Sequence, residues 1–291
     1  MSSIKTKVLA SFVSFVMILI LLPATTLNAA SNYSYDTKTK TLTISYVGSM
    51  PNFDSLSQRP WDTYSNSTNK IVFKNGITSI GSIAFYNFHH VTEIVWPTDG
   101  KLTTIGNSAF YCCCDLKNVV LPKGITTIGA FAFENCQQIS KLSLPGTLKT
   151  IGQCAFAVDY GADMKYTSLS IPASVTSIGN YAFFNNDNLK SVTGGSGLVS
   201  IGSYAFYSCG KLSTFKVTAK KLKTIGAYAF KSCPKLKTIY IQKTTKLTKK
   251  TVKNSLKSSS IKTVKVKSSK VSSYKKYFTK SNCGRKVTVK K

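Results

Sequence analysis

The chain has 291 residues, and 43% of them are hydrophobic, which is enough for a continuous buried core. Thirty-nine lysines and arginines outnumber ten acidic residues, so the formal net charge is +29 at pH 7. The acidic residues are scattered, and the histidine pair His89-His90 has no carboxylate close in sequence except Glu93. Glycoside hydrolysis requires two carboxylates around one bond, and no such recurring pair is present. We therefore expect a protein that is not an enzyme, with no catalytic residues, no metal site and no cofactor.

The first 30 residues have the pattern of a signal peptide. Lys5 and Lys7 precede an apolar run from Val8 to Leu22, and small residues follow at Ala29 and Ala30. A basic segment, an apolar segment and a small-residue cleavage site are typical of Sec-type export. A retained membrane anchor is the alternative, because about 20 apolar residues suffice to span a bilayer. We predict cleavage near Ala29 or Ala30, leaving a secreted or cell-surface protein without further membrane attachment.

Residues 31–70 are predicted to form an N-terminal cap. Apolar and polar residues alternate between positions 33 and 48, which indicates a strand. Phe53, Trp61 and Tyr64 are candidate anchors in the polar stretch that follows. The first repeat of a solenoid needs a cover over its open apolar end. An independent binding subdomain is the alternative interpretation.

The central part of the chain repeats the motif Ile-Gly-x-x-Ala-Phe seven times. A repeat of 20 to 30 residues is typical of a solenoid, in which each unit buries its apolar face against its neighbours. We expect the glycine to permit a bend into a short helical or 3₁₀ turn that carries Ala and Phe. The seven copies end at Phe85, Phe110, Phe133, Phe156, Phe183, Phe206 and Phe230.

A second recurring piece lies between these copies and predicts very short strands. It has the form Leu-x-x-Leu-x-Leu, and its last three residues alternate between apolar and outward positions. Nine strands stacked about 4.8 Å apart would form a parallel sheet roughly 40 Å long. We assign residues 71–246 to this solenoid. The apolar triplets start at Ile71, Ile94, Val119, Leu142, Leu169, Val192, Phe215, Ile239 and Val264.

Residues 247–291 are predicted to form a degenerate last repeat and a lysine-rich C-terminal cap. The Ile-Gly and Ala-Phe signatures are lost after Ile241, although the segment from Ile261 to Val266 restores the strand pattern. No acidic residue follows Asp187, whereas residues 190–291 contain 26 basic ones, all lysine except Arg285. A disordered basic tail is the alternative for the last residues.

This repeat unit resembles that of the BspA-like branch of bacterial leucine-rich repeat proteins. Their units read Leu-x-x-Leu-x-Leu-Pro and then Ile-Gly-x-x-Ala-Phe-x-x-Cys, as in the segments 116–122 and 128–136 here. The resemblance covers the array from Ile71 to Ile241. It implies a right-handed leucine-rich repeat solenoid of short parallel β-strands and short helical or 3₁₀ turns, capped at both ends. It further implies a non-catalytic binding protein at the bacterial surface, often discussed as an adhesin.

Four of the eight cysteines occupy one position of the repeat, and this spacing argues against a disulfide framework. Cys113, Cys136, Cys209 and Cys233 each lie three residues after a motif phenylalanine, which indicates a buried column of free thiols. Disulfides, or a metal site at the run from Cys112 to Cys114, are the alternatives, although that run lacks the Cys-x-x-Cys spacing of zinc sites.

Outward-facing positions of the strands are the candidate ligand contacts. Solenoids bind partners on the extended face formed by such positions, and Lys141, Lys216, Tyr240 and Lys265 are the candidates there. An ordinary solvated sheet is the alternative. A second stripe, two residues before the motif phenylalanine, is predicted to pack between coils or to form an aromatic contact surface. It consists of Phe131, Tyr181, Tyr204 and Tyr228.

The lysine-rich half indicates an anionic partner. Concentrated positive charge attracts polyanions, and salt weakens the attraction. Lysine in place of arginine indicates diffuse attraction and not the forked readout of nucleic-acid bases, so no specific nucleic acid is expected. The partners expected are host or cell-surface proteins and anionic polysaccharides such as wall polymers or sulfated glycans. The alternative function is a structural wall-associated protein that is held electrostatically and has no specific ligand.

Overall fold

The computed structural model describes residues 32–241 and 247–291. The predicted signal peptide, residues 1–30, lies outside the described residues. Among the residues that are described, no helix is long and apolar enough to cross a membrane. The described chain forms a parallel β-solenoid, as the repeat period predicts.

The long strands of successive coils form one column. β1 (Tyr33–Asp36) pairs antiparallel with β2 (Thr41–Ile44), and every later hydrogen-bonded pair in the column is parallel. Pairing is interrupted between the strands at residues 93–95 and 118–120 and between those at 141–143 and 168–171, so the column consists of three sheets. All nine predicted triplets lie in strands of this column, and one further strand precedes them and one follows them. The column consists of β2 (Thr41–Ile44), β4 (Lys70–Phe73), β6 (Glu93–Val95), β8 (Asn118–Val120), β10 (Lys141–Ser143), β12 (Ser168–Ile171), β14 (Ser191–Gly194), β16 (Thr214–Val217), β18 (Thr238–Ile241), β19 (Thr263–Val266) and β20 (Thr288–Lys290).

A second column of shorter strands was not predicted. From residue 77 onward its strands end on the isoleucine of the repeat motif, and the outward residue before that isoleucine is serine or threonine. Neighbouring strands are parallel and in register, as Thr127 pairs with Thr150 and Ile128 with Ile151. The column consists of β3 (Gly48–Ser49), β5 (Ile77–Ile80), β7 (Thr104–Ile105), β9 (Thr127–Ile128), β11 (Thr150–Ile151), β13 (Ser177–Ile178), β15 (Ser200–Ile201) and β17 (Thr224–Ile225).

The motif glycines allow two coils to approach closely, and the chain turns directly after them, although the glycines are not left-handed and the turn is not a helix. Gly152 does not have a positive φ, but a Cβ on it would lie 2.4 Å from the carbonyl carbon of Gly129. The left-handed residue is the one before alanine, for example Phe131 at φ 60° and Tyr181 at φ 57°. Within the described residues the motif copies contain turns and no helix. The 3₁₀ helices lie elsewhere, at Leu56–Gln58, Asp62–Tyr64, Lys250–Val252 and Ser268–Lys270.

The motif phenylalanines form a continuous stacked ladder in the core. Phe133 is fully buried, and its ring lies 5.2 Å from that of Phe110 and 5.4 Å from that of Phe156, nearly parallel to both. Offset stacking at this distance adds about 0.5–1.5 kcal/mol per pair beyond area burial. At the N-terminal end Trp61 continues the ladder, stacked 5.6 Å from Phe85.

The N-terminal segment supplies hydrogen-bond donors to the open edge of the first coil. In interior coils three backbone carbonyls of each motif copy accept hydrogen bonds from N–H groups of the preceding coil. Counting the motif isoleucine as position 1, these carbonyls are at positions 3, 5 and 7; the carbonyl of Ala132, for example, accepts from the N–H of Phe110. In the first coil these carbonyls belong to Ser82, Ala84 and Tyr86. Their donors are the N–H of Phe53 (3.2 Å), the indole Nε1 of Trp61 (2.8 Å) and the guanidinium Nη1 of Arg59 (2.7 Å).

The C-terminal segment keeps the backbone of the repeat after the signature residues are lost. Asn254 and Ser258 are left-handed, four residues apart, like Tyr228 and Ser232 one coil earlier. The N–H of Tyr228 donates to the carbonyl of Asn254 at 2.9 Å. Beyond β19 come the helices α1 (Val271–Tyr277) and α2 (Lys280–Cys283) and the last strand, β20. Tyr274 and Phe278 are buried there, so this segment packs onto the core.

All eight cysteines are free thiols, as the sequence indicates. The four at the repeat position are fully buried, and each Sγ donates to the carbonyl of the phenylalanine one coil earlier. The distances run from 3.0 Å for Cys233 to 3.4 Å for Cys113. Asn186 takes the same position in one of the three coils that lack the cysteine, and its Nδ2 donates to the carbonyl of Phe156 at 2.7 Å. This column therefore satisfies buried backbone acceptors.

Candidate functional site

The outward residues of the long strands define a surface that we call the strand face. Side chains two residues apart on a strand point to the same side, so each strand contributes a residue to two parallel rows. The leading row comprises Thr41, Lys70, Glu93, Asn118, Lys141, Ser168, Ser191, Thr214, Thr238, Thr263 and Thr288. The central row comprises Thr43, Val72, Val95, Val120, Ser143, Ser170, Thr193, Lys216, Tyr240, Lys265 and Lys290.

Three of the four predicted contact residues lie together in the central row. Lys216 pairs in register with Tyr240, and Tyr240 pairs with Lys265. The ammonium groups of both lysines lie 5.4 Å from the centroid of the tyrosine ring. Cation–π contacts of this kind contribute about 0.5–1 kcal/mol at exposed sites. The tyrosine therefore orders two positive charges on this face.

The fourth predicted residue, Lys141, lies apart from the other three. It is in the leading row, on β10, and faces Asn118 in register on β8. Two strands, β12 and β14, separate it from β16 and Lys216. Lys290 was not predicted, although it pairs with Lys265 on β20 and extends the central row by one coil.

The N-terminal part of the strand face is apolar and contains a cleft. Val120 is 43% exposed, and Val95 and Trp96 are partly exposed beside it. A cleft of about 420 Å³ opens here between β6 and β8. Glu93 at its edge forms a 3.1 Å ion pair with Lys70. Charge on this part of the face is thus sparse and partly paired, in contrast to its C-terminal part.

The second predicted stripe forms an aromatic surface on the turn side of the coils. Tyr181, Tyr204 and Tyr228 stack with ring centroids 4.8 and 5.0 Å apart. Phe131 is separated from them by one coil, in which Cys154 occupies the position. The rings remain partly exposed, and Lys231 and Lys257 each place an ammonium 5.8 Å from the ring centroid of Tyr228. Packing between coils thus accounts for the three tyrosines.

An extra segment in the fourth coil adds to this aromatic surface. Tyr160 is 70% exposed, and its hydroxyl lies 3.3 Å from that of Tyr207. Hydrogen bonding to Tyr207 is the main cause that raises the pKa of Tyr160. Met164 and Tyr166 anchor the segment in the core. The longer interval between Phe156 and Phe183 reveals the insertion in the sequence. The sequence does not show that the ring of Tyr160 is exposed.

The histidines and the cysteine run form only pairwise contacts. His89 Nδ1 lies 3.6 Å from Cys114 Sγ, and His90 Nδ1 lies 3.4 Å from Asp115 Oδ2. The described residues contain no group of three His, Cys, Asp or Glu side chains that could hold a metal ion. Burial raises the pKa of Cys112 to about 12 and also raises that of Cys114. These thiols therefore remain protonated at neutral pH and are poor nucleophiles.

Glu134 is the carboxyl group with the most perturbed environment on the turn side. Partial burial, and then the negative charge of Asp159, raise its pKa to about 7. Asp159 in turn accepts a 2.9 Å hydrogen bond from Asn135 Nδ2. Protonation of Glu134 beside Asp159 therefore makes this part of the turn side sensitive to pH near neutrality.

The fold and the strand face define a leucine-rich repeat protein of the bacterial surface type. The model of the BspA type leucine-rich repeat region matches residues 62–162 and 159–284, with six copies. The chain belongs to this family. The resemblance inferred from the repeat unit is thereby confirmed.

Solved structures of several bacterial leucine-rich repeat proteins are similar to this chain. A protein from Eubacterium ventriosum shares 20% identity, with 91% of this chain and 84% of that one covered at a TM-score of 0.41. A leucine-rich cell surface protein from Faecalibacterium prausnitzii shares 18% identity, with 89% and 92% covered at a TM-score of 0.41. The pneumococcal vaccine antigen PcpA shares 17% identity, with 89% and 96% covered at a TM-score of 0.33. Among curated proteins, none matches the sequence significantly.

Proposed function

We propose that this protein is a secreted or cell-surface, non-catalytic binding protein of the adhesin type. It engages an anionic partner, either an acidic polysaccharide or an acidic protein surface, through the strand face and the basic C-terminal half. The Sec-type signal pattern of residues 1–30 supports export. Membership of the BspA type repeat family supports a binding role at the bacterial surface.

The distribution of charge along one rigid scaffold carries this proposal. The sequence after Asp187 has no acidic residue, and 24 of its 26 basic residues lie in the described segments. Most of these side chains are exposed, including Lys216, Lys262 and Lys290. A surface with one sign of charge concentrates counter-charged polymers and accelerates their association. The sequence supplies no carboxylates in this half to neutralise it internally.

Retention on an anionic matrix tests the proposal. The full chain is applied to immobilised sulfated glycan and to purified wall polymer, and eluted with a salt gradient. We expect elution well above physiological ionic strength, because many lysines contact the polymer at once and the screening length is only about 8 Å at 0.15 M salt. Elution below physiological ionic strength would contradict a binding role for the charge.

A structural wall component held by charge alone is the second candidate. Lysines on the turn side, such as Lys231 and Lys257, favour it because they lie away from the strand face. The two candidates differ in where the protein is found and what it selects. Fractionation into medium, salt-washable wall and membrane, with N-terminal sequencing, tests export and cleavage. Selective capture of one host-matrix component by the mature chain supports the binding protein, and capture of every polyanion equally supports the structural component.

A further inference from the structure

The C-terminal strand face combines ordered positive charge with a parallel row of hydroxyl groups. Lys216, Lys265 and Lys290 carry the charge in the central row, on both sides of Tyr240. The leading row of the same four strands consists of threonine throughout, at positions 214, 238, 263 and 288. Both rows run along the axis of the solenoid, because each coil adds one residue to each row.

The spacing of the charges is set by Tyr240. Its ring lies between Lys216 and Lys265, with each ammonium 5.4 Å from the centroid, so the two ammonium groups are separated by at most twice that distance. Their Cα atoms are two coils apart, about 9.6 Å at a strand spacing of 4.8 Å. Because the contacts with the ring restrict the lysine rotamers in advance, less conformational entropy is lost when an anion binds.

We propose that this surface binds a linear acidic polysaccharide that lies along the solenoid axis. Anionic groups of the polysaccharide contact Lys216 and Lys265 on the two sides of Tyr240, and Lys290 lies one strand beyond Lys265, close enough to contact the same anionic group as Lys265. The threonine hydroxyls and the Tyr240 hydroxyl exchange hydrogen bonds with the sugar hydroxyls between them. This proposal rests on the proposed function, since it names the class of partner and its path on the same face.

The two rows together favour a polysaccharide over other polyanions. Polyphosphates and acidic polypeptides carry negative charge but lack the rows of hydroxyl groups that the threonines match. The stacked bases of single-stranded nucleic acids require exposed aromatic faces, whereas both faces of the Tyr240 ring are covered by lysine ammonium groups. A polysaccharide therefore complements both rows, because its anionic groups match the lysines and its hydroxyl groups match the threonines.

A matched pair of double variants tests the site. Lys216→Gln/Lys265→Gln removes two charges that flank Tyr240, and Lys231→Gln/Lys257→Gln removes two charges beside Tyr228 on the turn side. Both variants lose the same net charge and the same kind of cation–π contact. Binding of heparin oligosaccharides of defined length is measured for the full chain at several salt concentrations.

We expect the Lys216/Lys265 variant to bind about ten- to thirtyfold more weakly, roughly fivefold for each ammonium lost. The Lys231/Lys257 variant is expected to bind within about twofold of the parent, since those charges lie beside Tyr228 on the turn side and do not contact a chain bound on the strand face. Tyr240→Leu is expected to lose several-fold in affinity although it keeps every charge, whereas Tyr240→Phe keeps the cation–π contacts and most of the affinity.

The outcomes separate this inference from the proposed function. If the parent protein binds no polyanion, the proposed function fails. If it binds but both double variants weaken it equally, the charge acts without a defined site and this inference fails. Equal affinity for heparin oligosaccharide, polyphosphate, polyglutamate and oligo-dT of matched charge would also overturn it, because the hydroxyl rows would then contribute nothing.

Discussion

Replacing Gly152 with alanine isolates the role of the motif glycine. An added Cβ would lie 2.4 Å from both the carbonyl carbon and the oxygen of Gly129, and 2.6 Å from the nitrogen of Ala130. These are backbone atoms of the preceding coil, so no side-chain rotation relieves the clash. Because the φ of Gly152 is not positive, alanine would not strain the local backbone. The entire cost is therefore steric and falls on the contact between two coils.

We expect Gly152→Ala to lower the free energy of unfolding by about 3 kcal/mol or more, the upper end of the range for overpacked interiors. Gly146→Ala is the matched control, since its Cβ would meet nothing within 4 Å. That variant is expected to be neutral or to stabilise by up to about 1 kcal/mol, because alanine restricts the unfolded chain. Urea unfolding followed by circular dichroism gives both values. A Gly152→Ala protein within about 0.5 kcal/mol of the parent would refute the close-approach explanation.

The remaining predictions concern the core, the cap, the cysteines and pH. Phe133→Ala is expected to cost about 3–5 kcal/mol, as for other buried phenylalanines, and a melting curve that matches the parent would contradict the ladder. Arg59→Met leaves the carbonyl of Tyr86 without its donor and is expected to cost about 1–3 kcal/mol in urea unfolding; an unchanged midpoint would contradict the capping role. Thiol titration of the unfolded, unreduced protein is expected to give eight free thiols, and zero would show a disulfide framework instead. Because the folded pKa of Glu134 is raised from 4.5 to about 7, its contribution to stability is complete below pH 4.5 and is lost as pH rises through 7. Glu134→Gln is expected to flatten that slope, and an unchanged pH profile would exclude this residue as its source.

The sequence predicted the parts of the fold that repeat. Phe133 and its equivalents recur at a nearly constant interval, and so do the apolar triplets, so the ladder and all nine strands could be derived from spacing. The second column was missed because a strand such as β9 has only two residues, Thr127 and Ile128, and alternation needs a longer segment to be visible. The close approach at the glycines was not predicted because a sequence does not distinguish a bend from a close contact between coils.

Candidate contacts were predicted less completely than the core. The outward position in each strand follows from alternation, so Lys216, Tyr240 and Lys265 could be placed on one face. Lys141 was grouped with them because it also faces outward by alternation, although it lies in the leading row, with two strands between it and β16. Lys290 lies beyond the loss of the repeat signature, where no period connects it to Lys265. The cation–π geometry depends on side-chain conformations that the sequence does not specify.

The hydrogen-bond donors that cover the first coil also oppose end-to-end association of solenoid molecules. A solenoid whose terminal carbonyls are open can accept another copy end to end, and repeated addition would produce a fibre. Side-chain groups of Trp61 and Arg59 donate to two of those carbonyls. A second molecule therefore cannot form backbone hydrogen bonds with these two carbonyls. At the opposite end the edge strand β20 carries Lys290, and a like-charged edge opposes pairing. Both ends of the solenoid thus oppose end-to-end assembly of molecules. Each molecule can therefore bind its ligand separately.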